Sequence, residues 1–448
     1  MSGHDLARAV NQAGREAGLH LIYDRSAVSR WLAGTCPGPP VPALVCEVLS
    51  RALGRTVTPR DARLARATTR AARPAGDDAR ADVAGLLAQL GPGHDSRHGP
   101  APVYSLTLSL PPEYSTTSDG PRDGVASIRG GAPDATGRAQ LGAHHVQAAE
   151  DLLTTLRASE ESSGGQLVRP AVTGLLAVVA PGWLRASASP RIHRRLLTVT
   201  ARLSLLAGYT CFDGGTHGTA QLYYRAAAEL AVQAANPQGH ASALRAMSMQ
   251  AHCLGHHGHA QDLADAAAQH NATLPSREVA SVLGRQAIAA AATGDRQQAL
   301  AHLAEARRLI DHSPLPDSRA PQHHWAAYFH HEADTLTALG DKPAALSALR
   351  QSLDSRPDRE RRARAVTTAK MAEILLSTGQ LDRACATWQS LLDDYPLLAS
   401  GRILTAVATM VASLTPHATH PRARALLARA DHLGIAIPGR NPRHHTTR

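Results

Sequence analysis

One short pattern occurs twice in the chain and indicates its fold. It reads Gly294-Asp295-Arg296-Gln297-Gln298-Ala299-Leu300 and then, further along, Gly340-Asp341-Lys342-Pro343-Ala344-Ala345-Leu346. In each stretch a glycine ends one helix, since glycine tolerates the left-handed backbone conformation. An alanine five residues later lies in the next helix and permits close approach of the two helices. The pattern therefore predicts a pair of antiparallel helices joined by a tight turn.

The same glycine recurs at five points, separated by 40, 39, 46 and 39 residues: Gly215, Gly255, Gly294, Gly340 and Gly379. Five residues after each comes an alanine: Ala220, Ala260, Ala299, Ala345 and Ala384. Seven residues before each comes a small residue: Gly208, Ser248, Ala287, Ala333 and Ala372. Nine residues after four of them comes a large residue, with Ala264 as the exception: Tyr224, Leu303, Leu349 and Trp388. Internal repeats of this kind predict stacked helical hairpins, each burying the face its neighbour exposes.

These hairpins resemble the tetratricopeptide repeat over roughly residues 200–395. The spacing here is longer than the 34 residues typical of that family. The predicted fold class is all-α, with a small helix-turn-helix-like head followed by an α-solenoid of helical hairpins. The resemblance implies that the solenoid binds a peptide, a protein or a small effector in its groove.

The composition divides the chain into four predicted parts. Residues 1–67 form a helical head, and residues 68–140, rich in Gly, Pro, Asp and Ser, form a flexible linker. Residues 141–435 form the solenoid, and residues 436–448 a disordered tail. Within the linker, Val103 to Leu110 alternates like a short strand, and the most apolar run of the chain, Ala171 to Leu184, contains Pro181 and is too short to span a bilayer.

Composition excludes the common β-folds, and the distribution of charge sets the head apart from the rest of the chain. Aromatic residues make up 3% of the chain, too few for an ordinary β-sandwich or barrel. The net charge is +10, and residues 1–73 hold eleven arginines against five acidic residues. A basic head on a nearly balanced body is typical of a module that faces phosphates.

The head contains three predicted helices: Asp5 to Val10, a second beginning after the N-cap Asp24 and ending at Gly34, and Pro42 to Leu53. On the second helix an apolar stripe of Val28, Trp31 and Leu32 lies opposite the polar residues Arg25, Ser26, Ser29 and Arg30. This division is what a DNA-recognition helix needs.

The run from Ser26 to Gly34, followed by Thr35-Cys36-Pro37, resembles the lambda-repressor/Cro-like helix-turn-helix family. The whole head also resembles a group of actinobacterial transcriptional regulators that carry such a head on a repeat domain. Compared with that family, the head is expected to lack the first helix. The resemblance implies a regulator that binds DNA through Arg25, Ser26, Ser29 and Arg30. The alternative is a scaffold for protein–protein interaction that never touches DNA.

The remaining features indicate no catalysis. The five cysteines are scattered, no secretion signal is visible, and a cytoplasmic location is expected. The clustered histidines, such as His252, His256 and His259, are interpreted as surface or turn residues rather than metal ligands, and Tyr223 and Tyr224 as packing residues. We expect no enzyme activity, no cofactor, no metal and no membrane partner, and we leave a homodimer open.

Overall fold

The computed structural model describes residues 1–64, 82–91, 102–106, 141–312 and 321–435. Over these residues the chain is all-α without a strand, which confirms the predicted fold class. Its helices are α1 (Gly3–Glu16), α2 (Arg25–Leu32), α3 (Val41–Leu53), α4 (Val83–Gln89), α5 (Ala143–Ser163), α6 (Gly165–Val178), α7 (Ala180–Arg185), α8 (Pro190–Asp213), α9 (His217–Gln233), α10 (Pro237–Cys253), α11 (His257–Ala268), α12 (Ser276–Thr293), α13 (Arg296–Asp311), α14 (Pro321–Ala338), α15 (Lys342–Asp354), α16 (Arg361–Ser377), α17 (Leu381–Asp394), α18 (Gly401–Leu414) and α19 (Pro421–His432). Short 3-10 turns lie at Asn271–Thr273, Tyr395–Leu397 and Thr415–His417.

The repeat glycines lie in the turns between paired helices, as the sequence predicts. All five have a positive φ, between 76° and 91°. At Gly294 the next amide, that of Asp295, donates to the carbonyl of Ala290 at 2.9 Å, which closes the end of α12. The Asp295 side chain then accepts from the amide of Gln298 at 2.9 Å and begins α13. The sequence Gly-Asp therefore ends one helix and caps the next.

Small residues mark the points where paired helices cross. The hydroxyl of Ser248 in α10 donates to the carbonyl of Ala260 in α11 at 2.7 Å, so the two backbones are in close contact. At Gly208 in α8, an added Cβ would lie 2.4 Å from the ring of Tyr224 in α9. The large residues of the pattern, Tyr224 and Trp388 among them, are buried. The predicted hairpin packing is confirmed.

The solenoid closes on itself, which the repeat pattern does not predict. The helices α5, α8, α10, α12, α14 and α16 line its inner side, and α5 packs against both α8 and α16. Between α14 and α16, the Lys370 ammonium contacts His330 at 3.2 Å and Asp334 at 2.5 Å. The inner helices therefore form a ring rather than an open superhelix.

Polar and backbone contacts join the two ends of the ring. The amide of Ala399 donates to the carbonyl of Ser163 at 2.7 Å, and the carbonyl of Ala399 accepts from the amide of Gln166 at 2.9 Å. Arg362 of α16 forms an ion pair with Glu160 of α5 at 2.7 Å. These contacts link residues about two hundred positions apart in the chain, so closure depends on the whole solenoid being folded.

Part of the predicted linker is ordered and packs on the solenoid. Residues 83–89 form α4, whose Leu87 is fully buried, and the Tyr223 hydroxyl donates to the carbonyl of Leu90 at 2.5 Å. The interpretation of this part as flexible linker is wrong, because α4 buries apolar residues against α6, α7 and α9. The predicted strand is absent from residues 102–106, and the rest of it, like the predicted tail, lies outside the described residues.

The head packs against an inter-helix turn of the solenoid. The carboxylate of Glu47 in α3 lies 2.9 Å from Nε2 of His256, in the turn before α11. Arg51 contacts Glu47 at 2.8 Å and Glu16 at 2.7 Å, so a polar chain runs from α1 to the solenoid. Tyr104 stacks on the His256 ring with centroids 5.4 Å apart. The segment 102–106 is therefore held between the head and the repeats.

The most apolar stretch of the chain is longer in the structure than the sequence predicts. Gly165–Arg185, which covers α6 and α7, is 21 residues long and could cross a membrane by length and composition. A core helix of a soluble protein passes the same test. In this stretch Val172, Leu176 and Ala180 are fully buried in the core of the solenoid, but only 33% of the apolar window is buried, and Leu167 and Val178 are exposed. The stretch packs as part of the ring.

Candidate functional site

A cavity of about 630 Å³ lies at the inner side of the ring. Side chains from α5, α8, α10, α12 and α16, together with the connection between α15 and α16, line it. The cavity thus lies where the two ends of the solenoid meet, and it exists because the ring closes. Its volume falls in the range of sites that hold small ligands or short peptide segments.

The cavity wall includes Arg157 on α5, Arg202 on α8 and Arg245 on α10. None of them forms an ion pair with another residue in the described part of the chain. Burial lowers the pKa of Arg202, and the neighbouring charge of Arg157 lowers it further. A wall with unmatched guanidinium groups attracts anions, since guanidinium presents several donors to one carboxylate or phosphate.

Two of the four glutamates in the cavity wall are neutralised by their own arginines, whereas Glu161 and Glu278 form no ion pair within the described residues. Glu360 contacts Arg356 at 2.8 Å, and Glu160 contacts Arg362 at 2.7 Å. Burial raises the pKa of Glu160 even though Arg362 acts in the other direction. The cavity wall therefore carries five arginines against four glutamates, and its arginines without an ion pair lie on α5, α8 and α10.

A further arginine continues this series on the next inner helix. Arg285 of α12 is 7% exposed, and its nearest polar partner is His331, whose Nε2 lies 3.5 Å from the guanidinium. Its Nε has no hydrogen-bond partner. Burial lowers the pKa of Arg285; Asp334 counteracts this, and the charge of Arg245 adds to it. The inner wall therefore carries a line of basic groups that extends beyond the cavity.

Of the histidines interpreted as surface or turn residues, His252 and His259 are partly exposed, and His256 lies in a turn but is not solvated. His256 is buried because the head and Tyr104 cover its turn. His330 and His331 lie on the inner side of the ring, and burial together with Lys370 lowers the pKa of His330 to about 3. Across the described ranges no three His, Cys, Asp or Glu side chains are placed to hold a metal ion.

Tyr223 and Tyr224 are packing residues, as predicted. Both rings are fully buried between α8 and α9, and Tyr224 contacts Tyr209 edge to face with centroids 5.7 Å apart. The apolar surroundings raise the pKa of Tyr224 well above its ordinary value. Neither ring reaches the cavity, so a ligand-stacking role is not available to them.

The head places its four predicted DNA-contacting residues together on one exposed surface. Arg25, Ser26, Ser29 and Arg30 are all exposed on α2. The hydroxyl of Ser26 donates to the Asp24 carboxylate at 2.7 Å, and that of Ser29 donates to the carbonyl of Arg25 at 3.1 Å. The two arginines are therefore the freest groups of this surface.

The apolar side of α2 differs in part from the prediction. Val28 is buried, and Trp31 is half-buried against Tyr23, with ring centroids 5.0 Å apart. Leu32, predicted on the same apolar stripe, is 82% exposed at the last residue of α2, a helix that packs mainly against α1. The exposed side of the head is thus basic and apolar together.

Two comparisons with known families cover parts of the chain. The sequence model of the tetratricopeptide repeat matches residues 370–397, which include the end of α16, α17 and the 3-10 turn after it. The C-terminal part of this all-helical protein therefore contains a tetratricopeptide repeat. The SP15 N-terminal domain matches residues 1–64, the whole head. This second match is not to a helix-turn-helix family, so that assignment stays a prediction. No curated protein matches the chain.

Proposed function

We propose that the protein is a non-enzymatic scaffold whose repeat ring binds an acidic segment of a partner protein in its inner cavity. The observation that carries the proposal is that three cavity arginines, Arg157, Arg202 and Arg245, form no ion pair within the described residues. The tetratricopeptide repeat at residues 370–397 supports a protein partner. The free and exposed cysteine Cys253 supports a reducing, cytoplasmic location.

A selection from a random peptide library tests the proposal on the full chain. We expect the enriched peptides to be acidic and to lose binding to the double variant Arg202→Gln/Arg245→Gln. The matched control is Arg350→Gln/Arg424→Gln, which removes two exposed arginines and the same charge outside the cavity. Enrichment of neutral or basic peptides, or equal binding to both double variants, overturns the proposal, as does a selection that enriches no peptide.

DNA binding by the head is the second candidate function. It is favoured by the exposed basic surface of α2, which carries Arg25 and Arg30. A gel-shift selection with random duplexes, again on the full chain, tests it. If the arginines contact phosphates, Arg25→Gln/Arg30→Gln weakens binding to all duplexes, and each lost contact reduces the salt slope by about one. Binding that is absent at low salt, or unchanged in this variant, excludes the head as a DNA-binding module.

A further inference from the structure

The short segment 102–106 belongs to no helix, yet three successive residues anchor it. Val103 packs against the apolar core of the head. Tyr104 is buried and stacks on the ring of His256 in the solenoid. Ser105 is hydrogen-bonded to α9 through its main chain. The segment therefore lies on the protein as a bound peptide lies on its receptor.

One buried glutamine binds the main chain of this segment rather than a side chain. Gln221 is 1% exposed; its Oε1 accepts from the amide of Ser105 at 3.0 Å, and its Nε2 donates to the carbonyl of the same residue at 2.9 Å. Residues that face each other in a hydrogen-bonded pair of antiparallel strands exchange the same two bonds. The carboxamide thus acts in place of a neighbouring strand, and it accepts any residue whose amide carries a hydrogen, which excludes only proline.

A glycine lets the main chain of the segment come close to α9. Gly218 lies in the first turn of this helix, and a Cβ added to it would overlap the carbonyl of Pro102. Only glycine permits this approach. Gly218, Gln221 and His256 together form one surface, the α9 groove, which contacts the main chain at two points and an aromatic ring at a third.

We propose that the α9 groove is a peptide-binding site, closed in this chain by its own segment 102–106, for partner segments with an apolar, an aromatic and a non-proline residue in succession. The contacts with the main chain do not depend on the sequence of the bound segment, so another chain can make them. The aromatic residue gives selectivity through its contact with His256, and the apolar residue before it takes the place of Val103 against the head. The residues of the groove do not line the inner cavity, so this site is independent of the acidic segment proposed there.

Fluorescence anisotropy with a labelled peptide of residues 102–106, blocked at both ends, tests the proposal on the full chain. Ser105→Pro removes the amide that donates to Gln221 and opens the groove, and Tyr104→Ala opens it by a second route. A tethered segment competes at an effective concentration on the order of millimolar. We therefore expect both opened variants to bind the peptide at least about tenfold more tightly than the wild type does.

Two further comparisons locate the bound peptide. Adding Gln221→Ala to Ser105→Pro removes two hydrogen bonds and should cost the peptide at least about tenfold in affinity. The matched control adds Gln233→Ala instead, which changes an exposed glutamine of the same helix and should leave the affinity unchanged. A peptide that carries the Tyr104→Ala change should bind at least about tenfold more weakly.

Several results overturn the proposal. They are equal affinity of the wild type and both opened variants, and an affinity that Gln221→Ala lowers no more than Gln233→Ala does. Lack of binding by both opened variants overturns it as well. If circular dichroism shows that both opened variants lose helix, the segment is a structural part of the protein rather than an exchangeable occupant, and the proposal falls. Because the blocked peptide carries no charge, none of these results bears on the acidic segment of the inner cavity.

Discussion

Replacing Glu47 tests how the head is held on the solenoid. Its carboxylate is 4% exposed and contacts both Arg51 at 2.8 Å and His256 at 2.9 Å. Removing one member of a buried charged contact costs about 3–5 kcal/mol. Arg51 keeps its contact with Glu16 at 2.7 Å. We therefore expect Glu47→Leu to lower the free energy of unfolding by about 3 kcal/mol, the lower end of this range. Glu47→Gln retains an acceptor for His256 and should cost about 1 kcal/mol.

Hydrogen exchange followed by mass spectrometry on the full chain measures the effect. In Glu47→Leu the amides of α3 and of the first turn of α11 should exchange up to about a hundredfold faster, since 1.4 kcal/mol corresponds to a factor of ten. The amides of α17 and α18, far from the contact, should be unchanged. The control Glu305→Leu breaks an exposed pair with Arg308 and should change stability by less than about 0.5 kcal/mol.

Two results would refute the reasoning on Glu47. The first is unchanged exchange at both α3 and α11, which means that the carboxylate does not hold the head. The second is faster exchange throughout the chain, which means that the loss destabilises the ring itself and is not confined to the docking contact.

Further predictions concern the turns, the buried histidines and the head. Gly294→Ala should destabilise by about 1 kcal/mol, because its φ is +91° and an added Cβ meets no neighbour, whereas Gly258→Ala, inside α11 and equally unobstructed, should stabilise by about 0.5–1 kcal/mol. If urea unfolding shows that both variants change the free energy of unfolding in the same direction, the turn assignment is contradicted. Burial lowers the pKa of His240, which lies 2.8 Å from His270, to about 4, so the unfolded chain takes up the proton first and stability should fall as pH drops from about 6.5 to about 4. Unfolding midpoints across that range should show a weaker pH dependence in His270→Gln, and an unchanged dependence would exclude this pair as its source. Trp31→Ala should destabilise the head by about 2 kcal/mol, below the roughly 3–5 kcal/mol of a fully buried tryptophan, and loss of the near-ultraviolet signal of the head on heating measures it.

The hairpins of the repeat could be predicted from the sequence because their cause is local. A glycine that ends a helix, an alanine at the crossing and a large residue nine positions on, such as Trp388, act within about twenty residues of one another. The helices of the head were predictable for the same reason, since Asp24 caps α2 through the amide of Ala27 at 3.0 Å.

The closure of the ring and the docking of the head could not be predicted in this way. The pair of Glu160 with Arg362 and the contact of Glu47 with His256 join residues separated by about two hundred positions, and neither residue carries a local signature. The cavity could not be predicted either, because only the three-dimensional arrangement brings Arg157, Arg202 and Arg245 into one wall.

Closure also constrains how this protein can change in evolution. In an open solenoid each repeat contacts only its neighbours, so repeats can be gained or lost at little cost. Here an additional hairpin would separate Ser163 from Ala399 and Glu160 from Arg362, and would open the cavity whose walls they bring together. The number of repeats is therefore fixed by geometry, and diversification is confined to side chains of the inner wall and to connections whose change leaves the ring intact.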